Sequence, residues 1–148
     1  MSSSPMRIVL VDDDEDDRQF FIDALKELDM NTSLQVFQNG QDVLDFLSKE
    51  NVERPDLVFL DLNMPVMNGF QCLREIRKKS ALKELVVAIY STSSSEKDVE
   101  ETFVHGANIY INKPNKFDEL KKILSQVIKR NTQYRENQME KANFLFRL

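Results

Sequence analysis

Asp12, Asp13, Asp61, Ser91 and Lys113 are far apart in the chain, yet each stands just after a short apolar or β-branched run. Carboxylates, a hydroxyl and an ammonium are the groups a phosphate-handling site needs. Carboxylate oxygens hold a hard cation, and one of them can attack phosphorus. The hydroxyl and the ammonium then serve the phosphoryl oxygens. Residues 12–17 are six consecutive acids, Asp-Asp-Asp-Glu-Asp-Asp, which repel one another unless a cation is near. Asp16 and Asp17 read as partners of a helix N-terminus, and Asp14 and Glu15 as solvated. Asp12 and Asp13 abut the first apolar run and read as metal ligands. The D-x-D-x-D spacing of Asp12, Asp14 and Asp16 invites comparison with a calcium-binding EF-hand loop. That reading fails because Asp17 stands where the loop needs glycine and a strand precedes where a helix should. Few protein ligands, all oxygen, suit Mg²⁺, which keeps its waters and recruits phosphate. Asp61, directly after Leu57-Val58-Phe59-Leu60, is the candidate nucleophile.

The elements that must bring these residues together are legible as alternating short apolar runs and amphipathic stretches. Ile8-Val9-Leu10-Val11, residues 57–60, residues 85–90 and Ile109-Tyr110-Ile111 have the length and composition of strands buried on both faces, and residues 33–37 form a further strand. Between them, residues 16–28 carry a stripe of Phe20, Phe21, Ala24, Leu25 and Leu28. A second helix follows Asn39-Gly40, and a third runs from Gly69 through Lys78. Residues 96–105 are a fourth helix, with His105-Gly106 as its stop. A fifth, from Phe117, buries Leu120, Ile123, Leu124, Val127 and Ile128. Strand-helix alternation favours a parallel α/β sheet, whose ligands gather at the carboxyl ends of the strands.

Three motifs then carry a family resemblance. Asp12-Asp13 after the first strand, Asp61-Leu62-Asn63-Met64-Pro65-Val66-Met67-Asn68-Gly69 after the third and Lys113-Pro114 after the fifth occur, with Ser91-Thr92, in the order and near the spacing of the bacterial two-component response-regulator receiver domain, which the chain resembles over residues 6–130. The resemblance implies a flavodoxin-like, doubly wound five-stranded parallel sheet of order 2-1-3-4-5. It implies phosphotransfer from a histidine kinase, or a phosphotransfer protein, to Asp61, making the chain a signalling phosphoacceptor that catalyses its own phosphorylation and dephosphorylation. It also assigns roles. Asp13 and Asp61 would bind Mg²⁺ with the backbone carbonyl of Asn63, and Asp12 would orient bound water. Lys113 would neutralise phosphoryl charge, and Ser91 and Tyr110 would be the switch pair. The family's Lys-Pro bond is typically cis. Residues 87–114 further resemble the small receivers paired with phytochrome-type kinases.

Size and charge bound the rest. A chain of 148 residues suits one domain that buries roughly two thirds of its unfolded surface. Cys72 is alone and reads as a small buried hydrophobe. Met1-Ser2-Ser3-Ser4-Pro5-Met6 has no apolar signal core, and no run approaches the ~20 residues of a membrane span, so a cytoplasmic protein without membrane contact is expected. The net charge of −5 argues against DNA as a partner. About eighteen residues, 131–148, follow the receiver, too few for a helix-turn-helix output. Output through protein contact is therefore expected, and resemblance to stand-alone receivers implies a phosphorelay intermediate or a regulator that docks on a downstream protein target through the face of helix four, strand five and helix five. The extension reads as polar until Phe144-Leu145-Phe146, apolar residues that invite docking on the receiver or on a second copy, as in a homodimer. Two alternatives stand beside this reading. One is a haloacid-dehalogenase-like phosphatase with Asp12 as nucleophile and Asp14 two residues on, for which no capping insertion fits. The other is a degenerate receiver that only binds, against which the intact acids, serine and lysine argue.

Overall fold

Leu57-Val58-Phe59-Leu60 offers water no polar side chain, and in the computed structural model all four residues of β3 (Leu57–Leu60) are fully buried. The structure describes residues 4–49, 53–136 and 140–148; Met1 to Ser3 of the expected leaderless N-terminus and residues 137–139 of the extension lie outside them. The remaining strands are β1 (Met6–Val11), β2 (Thr32–Phe37), β4 (Val86–Ser91) and β5 (Ile109–Asn112), and they form one parallel sheet in the order β2-β1-β3-β4-β5. This is the flavodoxin-like arrangement. Val11 pairs with Leu60, Leu60 with Ile89 and Ile89 with Tyr110, so the central strands end almost level and Asp12, Asp61 and Ser91 emerge at one edge.

Helices α1 (Glu15–Glu27) and α5 (Phe117–Lys129) cover one face, over a core of Phe21, Phe59, Tyr90 and Leu124 among others. Helices α2 (Gly40–Leu47), α3 (Gly69–Lys78) and α4 (Glu96–Val104) lie over the other core, which holds Val11, Leu60, Cys72, Ile89 and Tyr110. Helices α1 to α4 each begin on a side-chain cap. Asp14, Asn39, Asn68 and Ser95 accept hydrogen bonds from the third residue beyond, and Asn68 with Gln71 completes a reciprocal capping box. The Asp14 cap is why α1 starts one residue earlier than the hydrophobic stripe suggests. His105 is the C-cap of α4, and Gly106 follows at φ 93°, the left-handed turn that glycine tolerates. Leu85 donates to Leu82 of a 3-10 turn (Ser80–Leu82), which holds it out of β4 and delays that strand to Val86.

At the amino end of the sheet a half-buried Arg77 gathers the connections. Its Nε donates to Gly106 O at 2.9 Å and its Nη2 to Asn108 Oδ1 at 2.8 Å, while Asn108 Nδ2 donates to Tyr134 O at 3.1 Å. The extension has more structure than its composition suggests, with α6 (Asn131–Glu136) and α7 (Lys141–Phe144). No cis peptide bond occurs among the described residues, so the expectation for Lys113-Pro114 is corrected. The trans form is the commoner X-Pro isomer, and in it the Lys113 side chain already faces the acids. Among the described residues no helix is long and apolar enough to cross a membrane.

Candidate functional site

Backbone hydrogen bonds of the sheet carry the first acids into place. The Asp12 N–H donates to Phe37 O at 3.0 Å and the Asp61 N–H to Val11 O at 3.0 Å, extending the ladder one residue beyond the strands. Asp12 is fully buried. Its Oδ1 accepts from the Asp14 N–H at 2.9 Å, while its Oδ2 receives no well-formed hydrogen bond even though Lys113 Nζ stands 2.8 Å away. Asp13 is exposed beside it. Asp12, Asp13 and Asp61 each offer an oxygen within 4.8 Å of the others, an all-carboxylate donor set that fits a hard divalent cation. Asn63 lies two residues past Asp61 and donates its N–H to Asp61 Oδ1 at 3.4 Å.

The loop after β3 is shaped to present Asp61. Its turn at Pro65 to Met67 closes through Met67 N–H to Pro65 O at 2.7 Å, with Val66 exposed at φ 67°, a conformation a β-branched residue adopts only under constraint. Gly69 then brings α3 against the strand end. A Cβ there would fall 2.2 Å from Asp61 O and 2.7 Å from Leu62 Cα, so the motif's glycine is a matter of space.

Lys113 supplies the opposing charge. Its backbone N–H donates to Ser91 O at 2.8 Å, fixing the loop after β5 on the end of β4. Its side chain is almost wholly enclosed. The ammonium reaches Asp12 at 2.8 Å, Asp17 at 2.9 Å and Asp61 at 3.4 Å, and lies 5.3 Å from the centroid of the Tyr90 ring. Burial works against the ammonium, but its close contacts with Asp12 and Asp17 and the charge of Asp61 hold its pKa above the usual lysine value. Burial also pushes the Asp61 carboxyl up to about 6, opposed by Lys113 and reinforced by the charge of Asp12. Asp61 is therefore less firmly ionised than a free carboxylate, and a cation beside it would restore its charge.

Asp17 corrects the sequence reading. It does stand in the first turn of α1, but its carboxylate turns inward to Lys113 instead of only balancing the helix dipole. Its place in the helix that starts beside the acids was the one available signal. Asp14 is likewise more than a solvated acid, since it caps α1. Tyr90, stacked under the ammonium, was not anticipated either.

Ser91 is fully buried, and its Oγ accepts from the Ser93 N–H at 3.1 Å. Tyr110 is fully buried too, with its hydroxyl donating to Ser93 O at 2.9 Å, so the tyrosine lies inward. Burial raises its pKa, as it does that of Tyr90. The structure thus gathers Asp12, Asp13, Asp61 and Lys113 into one cluster with Asn63 at its rim. Ser91 and Tyr110 sit just behind, joined through Ser93. Cys72 is remote and buried, its thiol pushed up to about 12.

Known proteins resemble this chain in sequence and fold. The model of the response regulator receiver domain matches residues 8–125. Response regulator Rcp1 of Synechocystis sp. is 31% identical over 130 residues, covering 85% of this chain and 88% of that protein. A probable methanogenesis regulatory protein, FilR2, of Methanothrix harundinacea is 27% identical over 129 residues, 85% of this chain and 83% of its own. Among solved structures, the phosphorylated cyanobacterial phytochrome response regulator RcpA superposes with a TM-score of 0.79 at 28% identity, covering 87% of this chain and 95% of its own. The Mn²⁺-bound form of Rcp1 does so with a TM-score of 0.76 at 28% identity, covering 92% and 99%.

Proposed function

The chain belongs to the response regulator receiver domain family, and from that membership we propose that Asp61 accepts a phosphoryl group from the phosphohistidine of a histidine kinase or phosphotransfer protein, with Mg²⁺ bound beside it. The observation that carries this reading is the placement of Asp61. It is a nearly buried carboxylate at a strand end, with two further acids on one side and a caged ammonium at 3.4 Å on the other. An Asp61 carboxylate oxygen attacks phosphorus, the P–N bond to the donor imidazole breaks as the P–O bond forms, and the leaving nitrogen takes up a proton. Lys113 is positioned to meet one phosphoryl oxygen, and the Ser91 hydroxyl can exchange its bond with Ser93 for a donated bond to another. Asp12, Asp13 and Asp61, with the Asn63 carbonyl, would hold the ion, which when bound neutralises charge on the transferring group. The metal in the Rcp1 structure and the phosphorylated state of RcpA support both halves of the reading.

Output is by protein contact, and the likeness to Rcp1 and RcpA supports a phytochrome-type kinase as the donor's class. The haloacid-dehalogenase alternative is disfavoured, because its second acid, Asp14, is engaged in capping α1. Mg²⁺ titration tests the metal assignment. Asp13→Ala is expected to weaken binding by at least about tenfold, since it removes one of three carboxylates. Lys113→Ala is expected to retain binding, and equal titrations for wild type and Asp13→Ala would contradict the assignment.

A further inference from the structure

The C-terminal segment is the part of the molecule that phosphoacceptance leaves without a task. Beyond α7 it runs parallel to β5, with Leu145 bridged to Tyr110 and the Phe146 N–H donating to Tyr110 O at 2.8 Å. Phe144 is fully buried. Its ring packs edge-on against Tyr110, centroids 6.2 Å apart, and against Phe103 of α4 at 5.2 Å. Lys141 pairs with Glu100 of α4. Leu145 packs on the core beneath α4 and Phe146 on the core beneath α5, so the segment straddles the outer edge of β5 as a short added strand.

We propose that the edge formed by α4 and β5 is a docking surface whose occupant is this chain's own C-terminal segment, and that the docked segment holds Tyr110 inward and is thereby linked to the state of Asp61. The link to Asp61 rests on the phosphoacceptor reading; the docking does not. Tyr110 is gripped at both ends. Its hydroxyl is bonded to Ser93 O, in a turn that the Ser91 Oγ closes by accepting from the Ser93 N–H, and its ring is covered by Phe144. Outward rotation of the ring gives up its contact with Phe144. Conversely, when the Ser91 hydroxyl turns toward a phosphoryl oxygen, it gives up the turn that anchors Tyr110 and resets the surface on which Phe144 sits. Coupling of this kind is reciprocal, so whatever phosphorylation does to the docked segment, the segment does in equal measure to phosphorylation. The buried Phe144 ring, the packed Leu145 and Phe146, the Lys141–Glu100 pair and the backbone bond to Tyr110 must together offset the ordering of a chain terminus.

The experiment uses the full chain, with the phosphate mimic beryllofluoride and Mg²⁺ as the ligand. In the wild type, hydrogen exchange at the Phe146 amide is expected to be slow and to change by at least about fivefold when the mimic is added. In Phe144→Ala the Phe146 amide is expected to lose its protection and the Tyr110 ring resonances to move, while those of Phe21 and Phe59 on the far face stay in place. Phe144→Leu, which keeps an apolar side chain, is expected to lie between the two and guards against a variant that fails to fold. Tyr110 resonances unchanged in Phe144→Ala would overturn the docking. Mimic binding without any effect on Phe146 exchange would overturn the link. A dimer by light scattering, with Phe146 protection that rises with protein concentration, would show that a second copy supplies the segment and would overturn self-docking. If the wild type takes up no mimic, the phosphoacceptor reading and the link fail together, and the Tyr110 response to Phe144→Ala still decides the docking.

Discussion

At the scale of single residues, the site is an exercise in holding too much negative charge in too little space. Asp12 and Asp61 are nearly buried carboxylates; Lys113 brings an ammonium among them, and the Arg18 guanidinium donates to the Asp12 carbonyl at 2.9 Å. The Asp61 carboxyl, raised to about 6, binds a proton more readily in the folded chain than in the unfolded one. The sign of its pH effect follows. Between the ordinary carboxylate range and pH 6 the folded state holds the extra proton, so this group's contribution to stability falls as pH rises through that window. Metal-free Asp61→Asn is therefore expected to be more stable than wild type at pH 7.5, by on the order of 1–2 kcal/mol, and the advantage should shrink toward pH 5. Thermal unfolding at the two pH values measures it, and a gap independent of pH would refute it. Asp17→Asn should act through Lys113. It leaves Mg²⁺ affinity within about twofold of wild type, because Asp17 is outside the three-acid cluster, but slows phosphoryl uptake from acetyl phosphate, with partial rescue by Asp17→Glu. An unchanged uptake rate would reduce Asp17 to a helix-dipole partner. Asp12, Asp13, Asp61, Ser91 and Lys113 were legible in the sequence because each follows an apolar run. Asp17 was not, because an acid in a first helical turn has a sufficient local explanation, and only the fold brings Lys113 to it.

At the scale of elements, the sheet was legible because apolar runs of four to six residues have few alternatives to a doubly covered strand. The helix boundaries shifted by a residue or so where caps, not hydrophobicity, decide them, as at Asp14 and His105. The extension was not legible as structure. The pattern of α6 and α7 makes sense only against surfaces supplied by α4, β5 and Asn108, which no local window contains. Glycines separate site geometry from general stability. Gly69→Ala drives a Cβ into the Asp61 carbonyl and is expected to cost more than about 2 kcal/mol and to slow phosphorylation, since the backbone that carries the nucleophile must move. Gly106→Ala meets positive φ at the far end of the sheet, and is expected to cost about 1 kcal/mol with phosphorylation unaffected. Denaturant unfolding and acetyl phosphate kinetics on both variants test the pair. Equal effects on phosphorylation would mean that Gly69 has no special bearing on Asp61.

At the scale of the whole molecule, one sheet divides two cores and brings the acids, the serine and the lysine to a single edge, while the chain's own terminus covers the outer edge of β5. The layout suits a protein whose product is a change of its own surface. Whether Asp61 is the phosphoacceptor is decided by incubating the protein with acetyl phosphate and Mg²⁺ and locating the modified side chain by mass spectrometry, in wild type and in Asp61→Asn. One aspartyl phosphate is expected, on Asp61, and none in the variant, because an amide cannot serve as the anionic nucleophile. Modification of Asp12, or undiminished phosphoryl incorporation in Asp61→Asn, would overturn the assignment.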